Sequence, residues 1–272
     1  MAVIVWPPDR IFAGYAFDLD GTVYLGDRLI PGADKAIELL RAAGCRVVFV
    51  TNKPLETAAA YAAKLTRLGI PTEPADVVTA LDTLVRYLDR YHRGARLLLV
   101  AEPLVASILI DAGFLVTTQP EHTDVVVVSF DRTFDYAKLL AAYRAVNAGA
   151  TIVATNPDRF CPTPDGGLPD CAAMLAAIEA CTGAHAEAVL GKPSTYMAEA
   201  VLARLGVPAA DAAVVGDRLA TDVALGQSLG MAGILTLTGD PTSTPGPHQP
   251  IQPDYVVDGL LDLIPHAARR PS

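Results

Sequence analysis

Two hydrophobic rhythms alternate along the chain. Short runs of β-branched and aromatic residues, such as Tyr15-Ala16-Phe17 and Val47-Val48-Phe49-Val50, give way to longer Ala- and Leu-rich stretches with helical spacing of apolar positions. The first rhythm predicts strands buried on both faces, and the second predicts helices that cover them. The run ending at Phe17 predicts a strand. Pro31 to Ala43 predicts a helix, with Pro in its first turn and Gly44 just past its end. Cys45 to Val50 predicts the next strand, and Glu56 to Leu68 a helix closed by Gly69. Strand, helix, strand, helix in this order implies a parallel sheet.

A second block opens near Leu81. Arg96 to Ala101, Asp124 to Phe130 and Thr151 to Thr155 are predicted strands; Pro103 to Ala112, Asp135 to Ala148 and Asp170 to Cys181 are predicted helices. After Gly183 the first rhythm resumes. Ser194 to Leu205 and Leu219 to Leu229 are predicted helices, and Ala212 to Val215, Ile234 to Leu237 and Tyr255 to Val257 are predicted strands. Pro241 to Pro253, rich in Pro, Ser, Thr and Gly, is expected to be a surface loop. The tail beyond Ile264 is expected to fray.

Composition narrows the class. The chain of 272 residues is 51% hydrophobic, enough for a substantial core, and 6% aromatic, which suits Ala/Leu helices on Val-rich strands. A formal charge of −9 argues against a nucleic-acid partner and requires something local to attract any anionic ligand. Cys45, Cys161, Cys171 and Cys181 form no CxxC pair, so free thiols in a reducing cytoplasm are expected. The start, MAVIVWPPDR, lacks the pattern of a signal peptide, and no apolar stretch reaches the roughly 18 residues of a membrane span.

Four short signals stand at the ends of predicted strands, where ligands bind in open α/β sheets. Asp18-Leu19-Asp20-Gly21-Thr22 sets two carboxylates two residues apart, an arrangement that repels itself unless a hard cation intervenes. A surface Asp-Gly turn has the same letters. Thr51-Asn52 offers a hydroxyl and an amide for phosphate oxygens, or an ordinary turn pair. Lys192, between Gly191 and Pro193, sits ahead of a helix and can neutralise an anion; a lone surface Lys is the alternative. Asp217 and Asp222, in Gly216-Asp217-Arg218 and Thr221-Asp222, supply further carboxylates, Asp222 in the first turns of a helix where negative charge is favourable anyway.

Taken together, their order and types resemble the haloacid dehalogenase superfamily, whose motifs run DxDGT, Thr or Ser, Lys, and GDxxxTD. The long stretch between Thr51 and Lys192 is similar to that of members with a C2-type cap. Asp131 to Leu139 and Ala154-Thr155-Asn156-Pro157-Asp158 resemble the cap of subfamily IIA, the group of NagD-like, AraL-like and 4-nitrophenylphosphatase-like enzymes. The resemblance covers about residues 11 to 264. It implies an α/β fold: a Rossmann-like parallel-sheet core over 1–80 and 188–272, and an inserted C2A cap over 81–187. Two departures stand out. Motif II continues Thr51-Asn52-Lys53-Pro54 where many relatives have Thr-Asn-Asn-Ser, and Pro169-Asp170-Cys171-Ala172 replaces a Pro-Gly-Ala-Gly segment.

The resemblance implies a phosphatase. Asp18 would be the nucleophile and Asp20 the general acid and base. Mg²⁺ would be held by Asp18, the Asp20 carbonyl and Asp217, with Asp222 orienting Lys192 or the metal. Thr51, Asn52 and Lys192 would bind the phosphoryl group, and Asp158, Arg159, Asp170 and Cys171 are expected to select the substrate. Asp20 fits phosphatases and phosphomutases rather than dehalogenases, and the short gap before Thr51 disfavours a mutase cap. The expected substrate is a small phosphorylated metabolite. Scarce aromatics in the cap loop point to sugar phosphates, provided that Tyr136, Tyr143 and Phe160 do not line the pocket; phosphoglycolate, pyridoxal phosphate and nucleotide monophosphates stay open. A non-catalytic binding protein, a phosphotransferase, and a homodimer through the cap are the other readings.

Overall fold

A computed structural model describes residues 4–163, 166–240, 242–246 and 249–265. The tail expected to fray lies outside the described residues from 266 on, as do parts of the Pro241–Pro253 stretch. The chain forms two compact units. One comprises Met1–Thr51, Ala58–Val78 and Lys192–Ser272, and the other Asn52–Thr57 and Thr79–Gly191.

The first unit is built on a sheet of six strands in the order Tyr255–Val257, Ala232–Thr236, Ala212–Gly216, Gly14–Asp18, Arg46–Thr51, Val77–Thr79. Gly14 is in parallel register with both Ala212 and Arg46, so three central strands point the same way. Every residue of Gly14–Asp18 and Ala212–Gly216 is buried, which explains why these runs lack polar alternation. The helix Ala33–Ala42 buries Ala33, Ala36, Ile37 and Leu40, one stripe at helical spacing. That stripe joins Tyr15, Phe17, Val47, Phe49, Ala213 and Val215 in a single core cluster. On the other face the helix Thr195–Leu205 comes so close that a Cβ on Gly14 would meet Leu205 at 3.2 Å and Val207 at 2.8 Å.

The second unit has its own parallel sheet of five strands, ordered Ala188–Val189, Thr151–Ala154, Val125–Val128, Arg96–Val100, Leu115–Val116. Helices Tyr136–Asn147 and Cys171–Thr182 pack Ala142, Ala145, Met174 and Ile178 against Val126, Val128 and Ile152.

Several elements escaped sequence reading. The helix Ala80–Tyr91 opens with Thr79 and Asp82 capping each other, a signal legible as T-x-x-D. Tyr24–Leu25 and Arg28–Leu29 form a tiny hairpin around Gly26-Asp27. Phe160–Thr163 and Gly166–Pro169 pair antiparallel where only a loop was expected. The predicted helix Leu219 to Leu229 opens as a wide π-type turn, Leu219–Val223, before the α-helical Ala224–Ser228. Among the described residues no helix is long and apolar enough to cross a membrane.

Candidate active site

Parallel strands deliver their last residues to one edge of the sheet, which is why Asp18, Thr51 and Asp217 emerge together in the first unit. Asp18 is in register with Val50, and Phe17 with Val215, two residues short of Asp217. Lys192 reaches the same edge: its ammonium donates to Asp18 Oδ1 and, across 2.7 Å, to Asp222 Oδ1. Lys192 is 3% exposed, Asp18 8% and Asp222 1%, so these charges meet out of bulk water. The wide turn aims Asp222 inward, and π-type turns recur at functional positions. The second Asp222 oxygen accepts the Arg218 amide at 3.1 Å. A Cβ on Gly216 would lie 2.2 Å from Asp222 Cγ, so a bare backbone is required there.

Asp217 is fixed by a segment that sequence reading passed over. Its Oδ2 accepts the Asp240 amide at 2.8 Å. A Cβ on Gly239 would fall 2.1 Å from that oxygen, and one on Gly21 would fall 2.6 Å from it. Thr238 donates its hydroxyl to Gly21 O at 2.7 Å, and Ser243 Oγ accepts the Leu219 amide at 2.7 Å. Thr238 to Asp240 thus brace the DxDGT turn and Asp217, while Ser243, inside the stretch expected to be a surface loop, braces the turn carrying Asp222.

Burial sets the protonation behaviour. It pushes the Asp18 carboxyl well above the ordinary carboxylate range; Lys192 opposes this, while Asp222 and Asp217 reinforce it. Asp217 is raised to about 6, first by burial and then by Asp222. Burial would lower the Lys192 ammonium, but Asp18 and Asp222 outweigh it and hold Lys192 above its usual value.

This donor set fits a small hard cation. Asp18, Asp217 and Asp222 each offer an oxygen, all within 4.8 Å of one another. Lys192 touches two of them, and Arg218, which also eases Asp217, is shared with Asp240 at 4.0 Å. Buried carboxylates therefore outnumber the cations, and oxygen-only donors suit Mg²⁺ or Ca²⁺ better than softer metals.

Asp20 is partly exposed and pairs through a backbone bridge with Tyr24. In the second unit, Asn52 donates its amide to Asp158 at 2.9 Å. Arg159 is exposed. Asp170 is buried and caps the helix Cys171–Thr182, accepting the Cys171 amide at 2.6 Å. Cys171 is fully buried, its thiol pushed up to about 12 by burial. Tyr136, Tyr143 and Phe160 are all exposed. Asn156, to which sequence reading gave no role, is completely buried.

Comparisons with known proteins find relatives along most of the chain. The profile of the haloacid dehalogenase-like hydrolases matches residues 15–115, and a second, HAD-hydrolase-like profile matches residues 189–263. The sugar-phosphatase AraL of Bacillus subtilis is 37% identical over 251 residues, 92% of either chain. An acid sugar phosphatase of Staphylococcus aureus is 32% identical over 93% of this chain and 97% of its own. Among solved structures, a 4-nitrophenylphosphatase from Thermotoga maritima superposes with a TM-score of 0.85 at 33% identity, covering 93% of this chain and 96% of that one. A glycerol phosphate phosphatase from Mycobacterium tuberculosis, in complex with magnesium, gives 0.82 at 32% identity, covering 93% and 77%.

Proposed function

The chain belongs to the haloacid dehalogenase-like hydrolases, subfamily IIA, as a phosphoric monoester hydrolase, and on that premise we propose that it hydrolyses sugar phosphates through an aspartyl-phosphate on Asp18. The observation that carries this reading is the buried contact of Lys192 with Asp18 and Asp222 beside Asp217. Sugar phosphates are favoured because both sugar phosphatases above align along almost their whole length.

Asp18 attacks phosphorus, and the ester P–O bond breaks. Asp20 gives its proton to the departing alkoxide, then takes one from the water that attacks the aspartyl-phosphate. The second attack frees Asp18 and releases inorganic phosphate. Lys192 holds the Asp18 carboxylate in place and offsets the charge of the incoming phosphoryl oxygens, with Thr51 and Asn52 as further donors to them. Asp222 keeps the Lys192 ammonium in position. Asp18, Asp217 and the Asp20 carbonyl are the groups that would hold Mg²⁺, with Asp222 behind them. When bound, the ion supplies positive charge where two anions must approach. The second unit is read as the substrate-selecting cap, and as the surface of any homodimer.

The test is phosphate release over a panel of sugar phosphates, glycerol phosphate, phosphoglycolate, pyridoxal phosphate and nucleotide monophosphates, with Mg²⁺ and with a chelator. Mg²⁺-dependent turnover with the highest kcat/KM on a sugar phosphate is expected. Turnover that survives chelation, or a preference for another class, would refute the corresponding part.

A further inference from the structure

Two segments of the second unit, 155–158 and Gly191, converge on Asn52. Its side-chain amide donates to Asp158 Oδ2 at 2.9 Å, and its backbone carbonyl accepts from Asn156 Nδ2 at 3.2 Å. Asn156 Oδ1 accepts the Asp158 amide at 2.9 Å, so one buried side chain fixes both residues. Gly191 packs against the same group: a Cβ there would fall 2.5 Å from Asn52 Oδ1, 2.8 Å from Thr155 O and 2.9 Å from Asn156 Cβ.

A carboxylate only accepts, so Asp158 must face the NH₂ end of the Asn52 amide. Asp158 therefore dictates which end of that amide is donor and which is acceptor, while Asn156 holds the backbone that carries it. Residue 52 follows directly on Thr51, the last residue of a core strand.

We propose that Asp158 is a positioning residue that acts through Asn52, setting the orientation of its amide, rather than a group that selects the leaving alcohol. This rests on the reading that Asn52 donates to the phosphoryl group. The two roles separate cleanly. A leaving-group selector affects some esters and not others, and depends on its charge. A residue that orients Asn52 affects every ligand bearing phosphate, and needs only an acceptor at that place.

The experiment uses inorganic phosphate as competitive inhibitor, alongside kcat/KM for 4-nitrophenyl phosphate and for a sugar phosphate. The variants are Asn52→Ala, Asp158→Ala, Asp158→Asn and the Asn52→Ala/Asp158→Ala double. Loss of one hydrogen bond to a charged group predicts about a tenfold weaker phosphate inhibition for Asn52→Ala. Asp158→Ala is expected to weaken it several-fold, equally for both esters, with Asp158→Asn recovering most of the loss. In the Asn52→Ala background, Asp158→Ala is expected to add nothing. If Asp158→Ala fails to fold, Asp158→Leu keeps the branched shape, though larger, and removes the acceptor. Wild-type inhibition in Asn52→Ala would overturn the phosphate role of Asn52 and the inference with it. An impaired Asn52→Ala beside an unimpaired Asp158→Ala, an effect confined to one ester, or additive losses would overturn the inference alone.

Discussion

Lys192 and Asp222 face each other across 2.7 Å in the interior of the first unit, and the same ammonium also touches Asp18. One cation thus holds two carboxylates that would otherwise repel. Removing one partner of a buried ion pair typically costs about 3–5 kcal/mol, because the remaining charge stays desolvated. Lys192→Met is expected to lower the melting temperature of the metal-free protein by many degrees, with part of the loss restored by Mg²⁺. Activity should fall at least about a hundredfold, since the phosphoryl group loses its buried countercharge. An unchanged melting temperature would mean that the carboxylates are balanced by something other than Lys192.

Gly239 approaches Asp217 so closely that any side chain must displace the carboxylate, its Cβ falling 2.1 Å from Oδ2. Gly239→Ala should weaken Mg²⁺ binding about tenfold or more by calorimetry, as expected when a ligand is moved out of place. Global stability should change by less than Lys192→Met changes it. Unaltered Mg²⁺ affinity would show that Asp217 tolerates displacement or is not a ligand.

What could be read from sequence was what is local. Tyr15-Ala16-Phe17 ends in Asp18, and a buried strand that stops at a carboxylate is visible in consecutive letters. Lys192 between Gly and Pro, and Asp222 five residues after Asp217, are legible in the same way. What escaped depends on segments far apart in the chain. Asn52 and Asp158 are separated by 106 positions, and nothing near either announces the other. The clasp on Asp217 is made by a backbone amide, that of Asp240, which no side-chain pattern encodes. The hairpin Phe160–Pro169 pairs strands containing Pro162, Gly166 and Gly167, which suppress the alternation that marks a strand. Ala188–Val189 is too short to register as a strand without its neighbour Val153.

The pH dependence follows from burial at the same cluster. A carboxylate whose folded pKa is raised holds its proton more tightly in the native state, so its stabilising contribution is complete below its unfolded pKa. It is lost as pH rises through the folded value, which for Asp217 is about 6 and for Asp18 is also well above the usual range. The metal-free protein should therefore melt at a higher temperature near about pH 5 than near about pH 7.5. Saturating Mg²⁺, which needs the deprotonated carboxylates, should add more stability at the higher pH than at the lower. Calorimetric scans with chelator and with Mg²⁺ at both pH values would test this. A metal-free protein more stable at the higher pH would contradict it.

Asp170 was expected to select substrate, yet its carboxylate caps the helix Cys171–Thr182. Losing an N-cap typically costs about 1 kcal/mol. Asp170→Ala is expected to lower the melting temperature by roughly 2–4 °C. Asp170→Asn, which keeps an acceptor oxygen, should lower it less. Equal kcat/KM ratios between two sugar phosphates in wild type and Asp170→Asn would fit the cap alone, whereas an altered ratio would restore the selecting role.

Asp18 combines two demands that a single substitution pulls apart. As the proposed nucleophile, it must present an anionic oxygen to phosphorus. It is also a buried carboxylate beside Asp217 and Asp222, so its charge costs stability when no cation but Lys192 is near. Asp18→Asn keeps the shape, removes the charge and leaves Lys192 paired with Asp222. Turnover should fall by roughly three orders of magnitude or more, the scale on which nucleophile removal acts. The metal-free protein should melt no lower than wild type, because one unfavourable buried charge has gone. A purely structural role for Asp18 would give the opposite pairing, with stability lost and the turnover of the folded fraction retained. Turnover and melting temperature measured on the same purified variant therefore decide between the two, and an active Asp18→Asn enzyme would end the case for an aspartyl-phosphate.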